Sequence, residues 1–92
     1  MKTRVHVVIS GQVQGVWYRE STKEKAEELG LTGWIKNTMD GNVEAIFEGD
    51  TSTVDEIIAW CWNGPPLARV INVKVTRQRF GDEFVGFVVL RG

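Results

Sequence analysis

A loop near the N-terminus has the residue types that bind a phosphate group. It reads Gly-Gln-Val-Gln-Gly-Val-Trp-Tyr-Arg from Gly11 to Arg19. Gly11 and Gly15 let the backbone turn sharply, so that successive N–H groups can form a concavity with partial positive charge. Arg19 opens a predicted helix, whose N-terminal dipole adds to that field, and its guanidinium can bind two phosphate oxygens. The pattern favours a dianionic ligand, although an ordinary glycine-bearing connection with a surface arginine fits the spacing equally well.

Two common nucleotide-binding patterns are absent from this loop. It has no Gly-Lys-Ser/Thr ending, which a Walker A motif requires, and no Gly-x-Gly-x-x-Gly, which is typical of dinucleotide-binding folds. The loop therefore gives no support to nucleotide binding.

Asn37 is a second candidate, at the end of a strand-like run before the turn signal Asp40-Gly41. A side-chain amide at this place could orient a water molecule for attack. An asparagine beside a turn more often bonds its own backbone. Taken alone, Asn37 leaves both roles open.

Three further polar residues are assigned structural roles. His6 falls on the polar face of the first strand, and no nucleophile or orienting group stands next to it in sequence. Asp40 and Glu44 are assigned to the turn and to a solvated strand face rather than to a metal site. We predict no metal ligands among them.

Cys61 is the only cysteine, so an intrachain disulfide and a cysteine-based zinc site are both excluded. It lies between Trp60 and Trp62 in an apolar run and is interpreted as a buried small hydrophobic residue. These two tryptophans and Trp34 are predicted to lie in the core or at its edge.

Length and charge limit the possible functions. The 92 residues suffice for one domain with one core, expected to cover 1–92. The net charge is -1, without the basic excess that nucleic-acid binding requires. The stretch 1–9 is too short for a signal-peptide core or a membrane span. We expect a cytoplasmic protein with neither a membrane nor a nucleic-acid partner.

The first half of the chain predicts a strand, a helix and a hairpin. Alternating apolar residues indicate a strand over 4–10. Two strand-like runs, 32–37 and 42–48, are joined through Asp40-Gly41, which readily forms a tight turn. The helix after the loop is predicted from apolar residues at helical spacing and a terminal glycine: Tyr18, Thr22, Ala26, Leu29 and Gly30.

The second half predicts a helix and two strands. Thr53-Val54-Asp55-Glu56 has the spacing of a capping box at a helix start. An apolar stripe continues from it, formed by Val54, Ile57, Ile58 and Cys61. A strand over 69–78 is expected to alternate at Ile71, Val73 and Val75, and a last apolar run covers 84–90.

The resulting order is βαββαβ with an extra C-terminal strand. Helices spaced in this way cover one face of a mainly antiparallel sheet. We therefore predict an α/β (α+β) fold, a ferredoxin-like sandwich. RNA-recognition domains share this order, but the run 42–48 carries acidic groups where a basic and aromatic platform would be required.

Three stretches of the sequence are informative together. They are Gly11–Arg19, then Gly33-Trp34-Ile35-Lys36-Asn37 with Asp40-Gly41-Asn42-Val43-Glu44, and Gly64-Pro65-Pro66-Leu67-Ala68-Arg69-Val70. Together they closely resemble the acylphosphatase family. The resemblance covers nearly the whole chain. Trp17 and Tyr18 stand where many family members carry other residues, although position 18 remains aromatic.

The resemblance implies hydrolysis of the carboxyl–phosphate bond of acyl phosphates, without a cofactor or a metal. It assigns phosphate binding to Arg19 and positioning of the attacking water to Asn37. Loop amides complete the implied phosphate site, at Gln14, Gly15, Val16, Trp17, Tyr18 and Arg19. We expect a monomer that releases inorganic phosphate and is inhibited by it. A non-catalytic phosphate-binding domain is the alternative, and an RNA-binding module is a weaker one.

Overall fold

The computed structural model describes residues 1–91, in which helices and strands follow one another in the predicted order. The observed bounds are β1 Lys2–Gln12, α1 Tyr18–Glu28, β2 Thr32–Asn37, β3 Val43–Asp50, α2 Thr51–Asn63, β4 Arg69–Gln78 and β5 Phe87–Val89.

The strands form one mixed sheet in the order β4-β1-β3-β2-β5. β1 lies antiparallel to both β3 and β4, β2 is antiparallel to β3, and only β5 pairs in parallel, with β2. Both helices supply side chains to a single core on one face of this sheet. The predicted ferredoxin-like sandwich with an extra C-terminal strand is therefore confirmed.

The apolar residues that alternate in the strands and those that recur at helical spacing both lie in that core. Alternate residues of β1 are buried, at Val5, Val7 and Ile9. The buried residues of the two helices are Tyr18, Thr22, Ala26, Val54, Ile57 and Cys61. The predicted apolar stripes are confirmed, because burial of these side chains is what holds each helix against the sheet. Leu29 and Ile58 pack at the core's margin.

The first and third strands are longer than predicted. β1 covers Lys2–Gln12 rather than 4–10, because Lys2 pairs with Asp50 and Gln12 pairs with Arg69. β3 begins one residue later than predicted, at Val43, and continues to Asp50. Pairing with a neighbouring strand, which local sequence does not reveal, sets these ends.

A β-bulge interrupts the pairing of β1 with β4. Ser10 lies opposite Asn72 and Gly11 lies opposite Val70, so Ile71 is the extra residue. The bulge turns the Ile71 side chain outward, where it is 77% exposed. The predicted burial alternation is therefore wrong at Ile71, whereas Val73 is buried as expected.

The second helix begins earlier than the capping box predicted. Its first residue is Thr51, and the Thr53 hydroxyl donates to the backbone carbonyl of Asp50 at 2.9 Å instead of capping an N–H group. β3 continues directly into α2, and the Thr51 N–H donates to the Met1 carbonyl at 2.9 Å. This contact with the N-terminus fixes the start of α2, and the capping-box prediction is wrong.

The last strand is shorter than the predicted run 84–90. The segment between β4 and β5 must cross from one edge of the sheet to the other. Side chains hold it there: Arg4 pairs with Glu83 and stacks over the Phe84 ring at 5.1 Å, and the Gly81 N–H donates to buried Glu48 at 2.8 Å. Phe84 therefore packs against Arg4 in the segment that crosses the sheet, and it does not belong to the last strand.

Substitution of Gly11 tests how closely the backbones of β1 and β4 approach each other at the bulge. It has φ 126°, and a Cβ atom there would lie 2.1 Å from the Arg69 carbonyl oxygen. We expect Gly11→Ala to lower the free energy of unfolding by about 2–4 kcal/mol, from backbone strain and overlap. Gly41→Ala is the matched control, because Gly41 also has positive φ but faces open space; it should lose about 1–2 kcal/mol. Urea unfolding measures both, and equal losses would contradict the close approach.

Candidate active site

The loop between β1 and α1 bends through two residues of left-handed backbone conformation. Gly15 has φ 74° and Trp17 has φ 68°, ψ 19°, and Trp17 is the N-cap of α1. Val13 is buried beneath the loop, whereas Gln14 and Gly15 are exposed. Left-handed residues within a turn direct neighbouring N–H groups toward one side, which is the geometry of an anion-binding concavity.

The N–H groups of this loop have no acceptors within residues 1–91. The first backbone bond of α1 is donated by Ser21 to the Trp17 carbonyl at 3.0 Å, so the N–H groups of the first turn before Ser21 remain free. The predicted phosphate-binding set coincides with these free donors: Gln14, Gly15, Val16, Trp17, Tyr18 and Arg19. Free N–H groups at a helix N-terminus form a site for an anion.

A cavity of about 480 Å³ opens beside the loop. Its lining is Val13, Gly15, Trp17, Tyr18, Arg19, Glu20 and Arg91. Arg19 is half-buried as the second residue of α1, and it lines the same cavity as Gly15 and Trp17. Of the predicted phosphate-binding residues, Gly15, Trp17, Tyr18 and Arg19 line this cavity, whereas Gln14 and Val16 do not.

Sequence reasoning missed two residues of this cavity, Glu20 and Arg91. Arg91 follows β5, far from the loop in sequence, and its guanidinium lies 3.8 Å from the Glu20 carboxylate. Both side chains are exposed, so this ion pair contributes little to stability. No local pattern could have found Arg91, because only the parallel pairing of β5 with β2 brings the C-terminal segment to this end of the sheet.

Asn37 is the last residue of β2 and pairs with Val43. Its Oδ1 atom is buried and has no hydrogen-bond partner within residues 1–91. The turn is instead closed by Thr38, whose hydroxyl accepts the Asn42 N–H at 3.1 Å. A buried amide oxygen without a partner is unfavourable by about 1–3 kcal/mol, so this atom is a place for an external donor such as water. Asn37 does not line the cavity itself.

The side chain of Gln14 connects the loop to the hairpin that carries Asn37. Its Nε2 atom donates to the carbonyls of Thr38 and Asn42, both at 2.8 Å. The sequence predicted only the backbone N–H of Gln14 as a ligand-binding group. The side chain has the separate task of holding the two predicted site segments side by side.

Tyr18 fixes the start of α1 against the end of α2. Its hydroxyl, buried with the ring, donates to the Cys61 carbonyl at 2.7 Å. In a continuing helix that carbonyl would accept from residue 65, but Pro65 has no N–H. Burial raises the pKa of the Tyr18 hydroxyl far above its ordinary value, so it remains a donor. The ring also packs on Gly64, where a Cβ atom would lie 2.7 Å away.

Cys61 is fully buried, which confirms its interpretation as a small core residue. Burial raises the pKa of its thiol to about 12, so it is uncharged at neutral pH. The three tryptophans predicted to lie in the core or at its edge differ in how far they are buried. Trp60 packs against Tyr18 with ring centroids 5.9 Å apart, and Trp34 is half-buried. Trp62 is 48% exposed, so its predicted place at the core is wrong; it lies on the outer side of α2.

The remaining titratable candidates do not line the cavity. His6 alternates with the buried residues of β1, so it lies on the sheet face opposite the helices, with Nε2 2.6 Å from the Glu44 carboxylate. Asp40 lies in the hairpin turn, where the Thr38 hydroxyl lowers the pKa of its carboxyl. Within residues 1–91 no group of three His, Cys, Asp or Glu side chains could hold a metal ion. No helix of that range is long and apolar enough to cross a membrane.

Fold and site together define a class of protein: a small ferredoxin-like α+β domain with an anion site at a helix N-terminus. A family model described as Acylphosphatase matches residues 5–89. A relative named Acylphosphatase from Methylococcus capsulatus is 56% identical over 88 residues, which cover 96% of each chain.

Two solved structures agree with this assignment. An acylphosphatase from Coxiella burnetii superposes with a TM-score of 0.92 at 44% identity, covering 97% of this chain and 93% of that one. An acylphosphatase from Bacillus subtilis gives a TM-score of 0.92 at 30% identity, covering 98% and 99%. The chain therefore belongs to the acylphosphatase family, and the predicted family and enzyme class are confirmed. None of these similarities favours the RNA-binding or the non-catalytic alternative.

The Tyr18 hydroxyl bond can be tested by removing one atom. We expect Tyr18→Phe to lower the free energy of unfolding by about 1–3 kcal/mol, because the Cys61 carbonyl then remains buried without a donor. Thr76→Val is the control, since it removes a hydroxyl from an exposed position of β4 and should change stability by less than about 0.5 kcal/mol. Urea unfolding of both variants decides the point; a Tyr18→Phe loss as small as the control's would show that the bond is dispensable.

Proposed function

We propose that this chain hydrolyses acyl phosphates at the loop between β1 and α1, with the loop amides and Arg19 binding the phosphoryl group and Asn37, on the adjoining hairpin, positioning the attacking water. The observation that carries the proposal is the row of free N–H groups at the start of α1, beside a half-buried arginine. Free backbone donors and a guanidinium together bind a dianion more strongly than either does alone.

The amides and Arg19 act mainly by stabilising the negative charge of the phosphoryl group. In phosphoryl transfer the transition state is loose, and its charge lies largely on the phosphoryl oxygens. Donors that are already aimed at those oxygens need no rearrangement during the reaction, which is how preorganised electrostatic stabilisation lowers the barrier. The two left-handed residues and the buried Tyr18 hold the donors in place before substrate arrives.

Asn37 supports the water-positioning role through its free Oδ1 atom. That oxygen can accept a hydrogen bond from a water molecule and leave one lone pair of the water directed at phosphorus. The water oxygen forms a bond to phosphorus while the bond from phosphorus to the carboxyl oxygen breaks. The carboxylate leaves with the electron pair, and the water proton is lost to a phosphate oxygen or to solvent.

Neither a strong base nor an acid is required for this reaction. The leaving carboxylate has a conjugate acid with a pKa of about 4, so it departs without a proton donor. Arg19 and the loop amides supply positive charge where a metal ion would otherwise supply it. We therefore propose that the reaction proceeds without a metal or another cofactor.

We further propose a monomer in the cytoplasm, with inorganic phosphate acting as an inhibitor as well as the product. Phosphate presents the same oxygens to the loop as the phosphoryl group of the substrate, so it competes for the same donors. The unpaired thiol of Cys61 is compatible with a reducing compartment. The net charge of -1 gives no electrostatic attraction to a nucleic acid.

Separate substitutions distinguish the two proposed roles. Arg19→Ala and Asn37→Ala should each lower kcat/KM for acetyl phosphate by about 10²-fold or more, since each removes a group aligned with the transition state. Only Arg19→Ala should also weaken inhibition by phosphate. Arg77→Ala is the control, because Arg77 is an exposed arginine of β4 paired with Asp55. Release of phosphate at the wild-type rate by either site variant would contradict its assigned role.

Cofactor independence has its own measurement. Wild-type protein dialysed against EDTA should hydrolyse acetyl phosphate at an unchanged rate, and added Mg²⁺ should not raise kcat. Inorganic phosphate should raise KM without lowering kcat, because it occupies the same donors as the substrate. Loss of activity with EDTA that Mg²⁺ restores would overturn the proposed metal independence.

A further inference from the structure

Trp17 is a large aromatic residue in a place that packing does not explain. Its side chain is 71% exposed, although the next residue, Tyr18, is fully buried. A tryptophan usually gains its stabilising effect by burying its ring, and Trp17 buries little of it. The fold itself therefore does not require an aromatic side chain at this position.

Backbone conformation also disfavours tryptophan at this position. Its φ of 68° is one that residues with a bulky side chain rarely adopt, whereas glycine adopts it freely. The conformation is held from the helix side, by the Ser21 N–H bond to the Trp17 carbonyl and by the buried Tyr18. Strained residues of this kind occur most often at functional sites.

The ring lies at the cavity that receives the substrate. A volume of about 480 Å³ lies within the range of pockets that hold whole small molecules, so it accommodates more than a phosphoryl group. The amides and Arg19 occupy the phosphoryl end. Val13 and Tyr18 are buried and Glu20 is paired with Arg91, which leaves the Trp17 ring as the exposed apolar wall.

We propose that Trp17 is a specificity-determining residue whose indole ring contacts the acyl group and favours aromatic acyl phosphates over acetyl phosphate. This inference rests on the proposed binding of the phosphoryl group by the loop. Aromatic rings attract one another by offset stacking or edge-to-face contact, and an acetyl group offers little surface for either. The contact adds no charge at phosphorus, so it acts on which substrate is chosen rather than on the chemical step.

The test compares kcat/KM for benzoyl phosphate with kcat/KM for acetyl phosphate. Trp17→Ala and Trp17→Gly should lower this ratio by roughly 3- to 10-fold, the factor expected for one aromatic contact. Trp17→Phe should keep most of the preference. Trp62→Ala is the matched control, since it removes an exposed tryptophan that does not line the cavity, and its ratio should equal that of the wild type.

Two further measurements separate a lost contact from a damaged loop. Inhibition by inorganic phosphate in Trp17→Ala and Trp17→Gly reports whether the backbone N–H groups keep their geometry, because phosphate binding needs no contact with an acyl group. Trp17→Gly should unfold at the same urea concentration as the wild type or a higher one, because glycine relieves the positive φ.

Several outcomes would overturn the inference. An unchanged ratio in active Trp17→Ala shows that the ring does not contact the acyl group. An equal fall for both substrates, with weaker phosphate inhibition, shows that Trp17 shapes the phosphate site instead. If the wild type hydrolyses neither compound, the proposed function fails as well, and that result is distinguishable from the first two.

Discussion

The hydrogen bond from Tyr18 to the Cys61 carbonyl is the contact on which the site geometry depends. It joins the first residue of α1 to the last turn of α2, and it gives a donor to a carbonyl that Pro65, which has no N–H, cannot bond. Since Arg19 and the loop amides are next to Tyr18 in the chain, fixing Tyr18 fixes them too. A core contact thus sets the position of a surface site.

The site retains several locally unfavourable features that the rest of the fold must offset. Among residues 1–91 the loop amides lack acceptors and the buried Asn37 oxygen lacks a donor, and Trp17 has a left-handed backbone. Each is locally unfavourable, and each has a use in the proposed reaction, for binding the anion, the water or the acyl group. Burial of two helices on one face of the sheet supplies the stability that tolerates them.

Predictions from the sequence succeeded where local chemistry decides the outcome. Alternation identified the strands, helical spacing identified the buried faces of both helices, and glycines marked the loop. The predictions failed where pairing between distant segments of the chain decides the structure. The bulge exposes Ile71, contact with Met1 moves the start of α2 away from Thr53, and the crossing over Arg4 shortens the last strand to Phe87–Val89.

The sequence by itself determined the order of elements, the family and the candidate pair Arg19 and Asn37, because these follow from residue types at short spacing. Only the tertiary structure decided how the loop that carries Arg19 is joined to the hairpin that carries Asn37. The Gln14 side chain links the loop to the hairpin, and parallel pairing of β5 with β2 brings Arg91 to the cavity. Such contacts join residues far apart in the chain, and their partners are set by sheet register, which no local pattern encodes.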